Sequence, residues 1–537
     1  MRQIPRTIWY FFPLLPLFAW LVWPLESPQF AIRFDRAEIA KTKAFLQKEI
    51  AIDSQAKRPN IIIIMADDLG QTDISLYGST LVHTPNIDSI GLQGVTFSEG
   101  YTASPICSPS RAALLTGRYQ QRFGYEFQPH DIYLKNRLQY YGFKHFVDSD
   151  PWSPIYMSSV PRMKDRKRQG LPPTEITLAE LLKKHGYATA FIGKWHLGSA
   201  DFALPCNRGF DYSYGFYNSH SLFAPEDASW IVNQHVEEDW TDGYIWDSQR
   251  NGTSAIYRNC KMVKDTGYFT QRIAEEAVQF MEKHQDQPFL LYLPFNAPHT
   301  PLQAPKSYYQ EFAHIKDPVK RIYNAMIAAL DDAVGTIETK VRQLGLSEKT
   351  IIFFLSDNGG ATYTLTTDNA PFKGGKITNF EGGIRVPFMV KWPGNIPAGK
   401  TFPYPVSSFD IFTTAAAVAG ADLPDDRTYD GVDLIPFLKD STGQPPHHRL
   451  CWQMGNAKAI RQGDWKLLLN GLQHDTILYN IAADPYEQND VKLQHPAVVQ
   501  SLIKAHQEWA DQMAAPLWPG MIYFEHRDTS GRYLFED

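Results

Sequence analysis

The chain has 537 residues, 43% of them hydrophobic and 20% charged, which is ample for one large core and a smaller companion. A formal net charge of −6 argues against a general polyanion-binding surface, and so against a nucleic-acid partner. Any anion site must be local, built from a few Lys and Arg side chains.

Arg2 and Arg6 precede an apolar run from Ile8 to Trp23, which reads as the charged and hydrophobic parts of a secretion signal. No small-x-small cleavage site follows, so residues 1–25 are either a cleaved signal or an uncleaved membrane anchor. Both imply a secreted, periplasmic or other secretory location. Residues 26–58 are polar, helical in pattern, and form a lead-in. Strand and helix patterns then alternate over 59–440. Strands are predicted at Asn60–Met65, Val95–Phe97, Tyr187–Ile192, Phe289–Leu293, Ile351–Leu355 and Val386–Trp392. Helices are predicted at Thr177–His185, Thr270–His284 and Val319–Leu346. Apolar strands without alternation are buried on both faces, which predicts an α/β fold with a large, mostly parallel sheet sandwiched by helices. Residues 128–170 lack periodicity and read as a long loop. From 441 to 537 the pattern changes to a small α+β domain with an antiparallel sheet. Its strands are His448–Gln453, Ala457–Arg461, Trp465–Asn470 and Ile477–Asn480, and a helix at Val498–Met513 closes it.

The most informative run is Cys107-Ser108-Pro109-Ser110-Arg111-Ala112-Ala113-Leu114-Leu115-Thr116-Gly117-Arg118. Ser108 suits an N-cap and Pro109 the first helical position, so Cys107 is predicted at a helix N-terminus, where N–H groups gather anions. Arg111, one turn on, adds a permanent cation. The other chemical clusters fall where strands end, which is where open parallel sheets bind ligands. Asp67-Asp68 follows the first strand and Asp357-Asn358 follows Ile351–Leu355. Each pair alone is also ordinary turn chemistry; together they supply hard oxygen ligands suited to Ca²⁺ or Mg²⁺. Lys194 and His196 follow Tyr187–Ile192, two apart and expected on one side of an extended segment. His299 stands in the stiff run Pro294-Phe295-Asn296-Ala297-Pro298-His299-Thr300-Pro301. Lys373 and Lys376 lie in a Gly-rich stretch ahead of Glu381-Gly382-Gly383-Ile384-Arg385.

These motifs, in this order over about 59–490, resemble the type I sulfatases of the alkaline phosphatase superfamily. The resemblance implies an alkaline-phosphatase-like fold and a sulfuric ester hydrolase whose cysteine, here Cys107, is oxidised to formylglycine (3-oxoalanine) by a maturation enzyme. It implies a divalent cation, Ca²⁺ before Mg²⁺, held by Asp67, Asp68, Asp357, Asn358 and the modified residue 107. It further implies that Arg111, Lys194 and Lys376 hold sulfate, that His299 serves the leaving oxygen, and that His196 regenerates the aldehyde. Ser219 is a further substrate-binding candidate. The family often has Gly after the sulfate-binding lysine, where this chain has Ile377. Cys206 and Cys260 can pair in an oxidising compartment, leaving Cys451. Aromatic residues in the 128–170 and 212–246 segments suit stacking on sugars, which points to a sulfated carbohydrate substrate. Two rivals stand beside this reading. One is a phosphonate or phosphodiester hydrolase on the same fold; the other is a non-catalytic carbohydrate-binding relative.

Overall fold

Strand β1 (Asn60–Ala66) is buried along its whole length, and its side chains divide between two cores. Ile61, Ile63 and Met65 enter one, whereas Ile62, Ile64 and Ala66 enter the other. β-branched residues covered on both faces are what the middle of a helix-covered sheet demands. The computed structural model describes residues 14–27, 31–51, 57–130, 134–146, 152–156, 160–237, 239, 241–439, 443–470, 475–520, 522–528 and 531–536.

β1 lies within a ten-stranded sheet. The other strands are β2 (Val95–Phe97), β3 (Ala188–Lys194), β4 (Tyr212–Phe216), β5 (Tyr257–Arg258), β6 (Lys261–Met262), β7 (Phe289–Pro294), β8 (Thr350–Ser356), β9 (Phe388–Lys391) and β10 (Lys400–Phe402). Their spatial order is β6-β5-β4-β3-β7-β1-β8-β9-β2-β10. The central run β4, β3, β7, β1 and β8 is parallel, so these strands deliver their carboxyl ends to one edge. The strand expected over Val386–Trp392 is the shorter β9, and it runs antiparallel to both β8 and β2.

Helix α1 (Cys107–Thr116) packs on one face of the sheet, whereas α2 (Phe269–His284) and α3 (Pro318–Gln343) pack on the other. The start of α3 is set locally: Asp317 accepts from the Val319 and Lys320 amides, and Pro318 takes the first helical position. Near the C-terminus, β11 (Arg449–Met454), β12 (Ala457–Gln462), β13 (Trp465–Asn470) and β14 (Asp475–Asn480) form a separate antiparallel sheet, followed by α4 (Pro496–Ala510). Trp452, Ile460 and Leu467 of that sheet share the core of α1. The buried Lys466 ammonium joins the two parts, 2.7 Å from Glu381 and 2.8 Å from Glu487.

Residues 128–170 are not simply a loop. They contain a helix at Arg137–Phe146 and a strand at Trp152–Tyr156, and that strand pairs with a C-terminal hairpin of Ile522–Asp528 and Gly531–Glu536. The pairing is hundreds of residues distant in sequence, which is why local periodicity does not reveal it. Cys206 and Cys260 form a disulfide, while Cys107 and Cys451 are free and buried. In the N-terminal segment Leu14–Val22 is helical; Arg2, Arg6 and the run from Ile8 to Pro13 lie outside the described residues. Among the described residues no helix is long and apolar enough to cross a membrane.

Candidate active site

The parallel strands end in the polar clusters. β1 runs directly into Asp67 and Asp68, β8 into Asp357 and Asn358, and β3 ends on Lys194 itself. Because β7, β1 and β8 are neighbours in register, these side chains converge without any long loop to carry them. Close backbone approach is built in. A Cβ on Gly359 would come 1.8 Å from the Gly382 carbonyl oxygen, so only glycine lets the Asp357-Asn358 turn meet the segment beyond Lys376.

Cys107 opens α1, with Ile106 rather than Ser108 in the N-cap position. The predicted helix start is therefore late. The Ser108 hydroxyl does not cap; it bonds the Tyr125 hydroxyl and the His196 carbonyl, tying the helix start to the end of β3. Ile106 provides no side-chain cap, which keeps the first turn a place for an anion.

The buried Cys107 thiol lies 3.4 Å from Asp67 Oδ1 and 3.7 Å from Asp68 Oδ1. Burial, and then the Asp357 carboxylate, push its proton affinity up, so the thiol is held protonated. Around it, Lys194 Nζ donates to Asp67 Oδ2 at 2.6 Å and Lys376 Nζ to Asp68 Oδ2 at 2.8 Å. Arg111 Nη1 donates to the Lys194 carbonyl at 2.9 Å, and its Nη2 lies 3.5 Å from Asp67 Oδ1. Three cations thus face three carboxylates in a space closed to solvent. Burial works against the charge of Asp68, but Lys376, His299 and Lys194 together outweigh it and hold the carboxyl below its usual range. Asp357 goes the other way, to about 6, through burial and the neighbouring Asp67.

Asp67, Asp68, Cys107 and His299 each offer a donor atom within 4.8 Å of the others. Asp357 and Asn358 close the group from β8. The Asp68 amide donates to Asp357 Oδ1 at 3.3 Å, and Asn358 Nδ2 donates to Asp68 Oδ1 at 2.8 Å. Asn358 Oδ1 is buried and has no hydrogen-bond partner, an unmet acceptor on the amide whose nitrogen bonds Asp68. Buried acceptors of this kind need a positive partner, and a hard divalent cation suits the oxygen set. The residues fit the predicted metal group.

His299 Nδ1 lies 2.6 Å from the Thr300 carbonyl, which must accept, so Nδ1 carries the proton and Nε2 is an acceptor. Lys376 Nζ donates to that Nε2 at 3.2 Å. Lys373 does not reach this cluster; it lies over the rings of Phe380 and Tyr533. Lys194 and His196 do not share an extended segment as expected, because His196 adopts φ 54°, in the left-handed region. It is nonetheless in the site: buried, with its proton affinity lowered first by burial and then by Lys194 and Arg111. Asp68 (φ 60°) and Ile377 (φ 78°) are also left-handed. A glycine would suit position 377. The isoleucine keeps the same backbone turn at a cost of about 1–2 kcal/mol, offset by burying its side chain, worth about 1.5–3 kcal/mol. Its amide bonds the Pro105 carbonyl at 2.9 Å, which fixes Lys376 beside Asp68.

Ser219 does not stand alone. Its hydroxyl lies 2.8 Å from Nδ1 of His220, a residue that motif reading passed over. Asp239, which is buried, and Tyr363, which is half-buried, were also missed; both feel the Lys376 charge. No motif marks these residues, because they come from segments whose path is set by packing.

Residues 59–421 match the family model described as Sulfatase. The chain is 34% identical to the N-acetylgalactosamine-6-sulfatase of Mus musculus over 416 residues, covering 76% of this chain and 71% of that protein. It is 30% identical to the steryl-sulfatase of Homo sapiens over 551 residues, covering 85% and 88%. Among solved structures it is similar to Ps i-CgsB, with a TM-score of 0.71 and 32% identity over 86% of this chain and 94% of that one. Ps i-CgsB has also been solved in complex with k-i-k-neocarrahexaose, at the same TM-score of 0.71. The phosphonate monoester hydrolase of Agrobacterium radiobacter, at 19% identity and a TM-score of 0.56, shares the fold.

Proposed function

The chain belongs to the sulfatase family, and we propose that this sulfuric ester hydrolase removes sulfate from a sulfated oligosaccharide or polysaccharide. The observation that carries the chemistry is Cys107 in the first turn of α1, ringed by Arg111, Lys194 and Lys376. The carbohydrate reading draws on Ps i-CgsB, whose solved complex holds a neocarrahexaose.

Cys107 is the residue that a formylglycine-generating maturation enzyme would convert. As formylglycine, position 107 supplies a hydrated aldehyde, with one hydroxyl to attack sulfur and a second through which sulfate is expelled. Asp67, Asp68, Asp357 and Asn358 would hold Ca²⁺, or Mg²⁺ as second choice, which when bound supplies positive charge to the ester and acidifies the nucleophile. With the carboxylates so engaged, Lys194 and Lys376 turn their donors to sulfate oxygens, where Arg111 adds a fixed cation. Lys376 keeps its charge on sulfate, and His299, protonated from solvent at Nε2, hands that proton to the leaving oxygen. His196 takes the proton that releases sulfate. The N-terminal segment serves as a secretion signal or anchor, which places the enzyme where sulfated glycans and an oxidising milieu for Cys206–Cys260 are found.

The test is inorganic sulfate release from a panel of oligosaccharides of known sulfation, alongside an aryl sulfate and a phosphonate monoester. Desulfation of at least one oligosaccharide with kcat/KM above that for the aryl sulfate supports the reading. Preference for the phosphonate monoester would sink it.

A further inference from the structure

β4 runs parallel to β3, with Phe216 opposite Lys194, so the chain leaving β4 emerges at the site edge of the sheet. There Tyr217 and Asn218 line one small cleft together with His196. Asn218 Nδ2 donates to Ser254 Oγ at 3.1 Å, which leaves its Oδ1 to accept from the Ser219 amide at 2.8 Å. Ser219 is thereby fixed beside His220. Its hydroxyl lies 2.8 Å from His220 Nδ1, and 3.4 Å from its other acceptor, Asn218 Oδ1. The hydroxyl has one proton to give; when it goes to Nδ1, the nearer acceptor, the ring proton sits on Nε2. Tyr244 braces the ring edge-on at 5.0 Å. His220 is 2% exposed, yet its Nε2 has no hydrogen-bond partner. A buried N–H without an acceptor is costly and calls for a ligand. The ring stays neutral: burial first, then the neighbouring His299 ring and Lys194 ammonium, lower its pKa to about 3.

We propose that His220 is a substrate-contacting residue, with Ser219 as its positioning residue, and that Nε2–H donates to an oxygen of the sulfate ester. This rests on the sulfatase reading but assigns to His220 the contact that the motif placed on Ser219. A neutral donor suits the position, because the site already matches its carboxylates with cations.

Four variants test it on the mature enzyme: His220→Ala, His220→Gln, Ser219→Ala and the Ser219→Ala/His220→Ala double. Gln places an amide N–H near the Nε2 position. On an aryl sulfate, His220→Ala should lower kcat/KM by about 100-fold, as loss of a donor to a charged transition state does. His220→Gln should recover roughly tenfold of that, with unmoved pH limbs, because the group is neutral. Ser219→Ala should add nothing in the double variant. Calorimetric binding of inorganic sulfate should weaken about tenfold in His220→Ala, a readout that needs no turnover and so survives failure of the sulfatase reading. The proposal is overturned if His220→Ala melts as wild type and keeps kcat/KM and sulfate affinity. It is equally overturned if Gln is no better than Ala, or if only sugar substrates are affected. Should His220→Ala not fold, His220→Gln and Ser219→Ala decide by the same measurements.

Discussion

Arg111 donates from both Nε and Nη2 to one oxygen of Asp357, at 2.9 and 2.6 Å, and neither side chain is exposed to solvent. Its remaining nitrogen bonds the Lys194 carbonyl, so one guanidinium locks the carboxyl ends of β8 and β3 against the first turn of α1. Lysine carries charge but cannot fork. Arg111→Lys should therefore fold and lose about 100-fold or more in kcat/KM. Arg111→Met leaves a buried carboxylate without its partner and should lose about 3–5 kcal/mol of stability in urea unfolding. Wild-type activity and stability in Arg111→Lys would show that the charge, not the fork, is all that matters.

Position 107 separates the two halves of the proposed cycle. The peptide carrying Cys107 from active enzyme should be about 18 Da lighter than its thiol form. Cys107→Ser offers one oxygen, so it should give at most a single turnover and accumulate a sulfated serine about 80 Da heavier. Mass spectrometry reads both species. Sustained turnover by an unmodified serine would remove the need for the second hydroxyl.

Asn358 Oδ1 is the unpartnered acceptor of the oxygen cluster. Replacing Asn358 by Ala should weaken cation affinity roughly tenfold or more without unfolding the core. Chelation should abolish activity in the wild type, and Ca²⁺ should restore it better than Mg²⁺. Elemental analysis and calorimetric titration check this. Unchanged cation affinity in Asn358→Ala would place the cation elsewhere.

His506 on α4 is 2% exposed and bonds the Trp452 carbonyl at 3.3 Å. Burial, opposed in part by that bond, depresses its pKa to about 4. The unfolded chain then takes up the proton first. The stabilising effect is complete above about pH 6.5 and fades as pH falls towards 4, reaching about 3 kcal/mol. His506→Gln should flatten the fall in Tm between pH 7 and pH 4.5. Parallel curves for the two proteins would assign that fall to other groups.

The order of chemical motifs, the sheet that carries them and the antiparallel strands near the C-terminus were legible in the sequence, because each is a local signal. Uninterrupted apolar strands such as Asn60–Ala66 announce burial on both faces. Asp67 and Asp357 directly follow their strands, and Lys194 is the last residue of its own. What the sequence by itself determined is thus the family, the sheet and the residues placed by their nearest strand. Tertiary structure alone decided the rest. Residues 152–156 found their partners in the C-terminal hairpin, and Ile377 accepted a left-handed turn because the core took its side chain. His220 gained its place only through β4 lying beside β3 and through the bonds of Asn218 and Ser219. Those outcomes depend on contacts between segments far apart in the chain, whose energies no local pattern encodes.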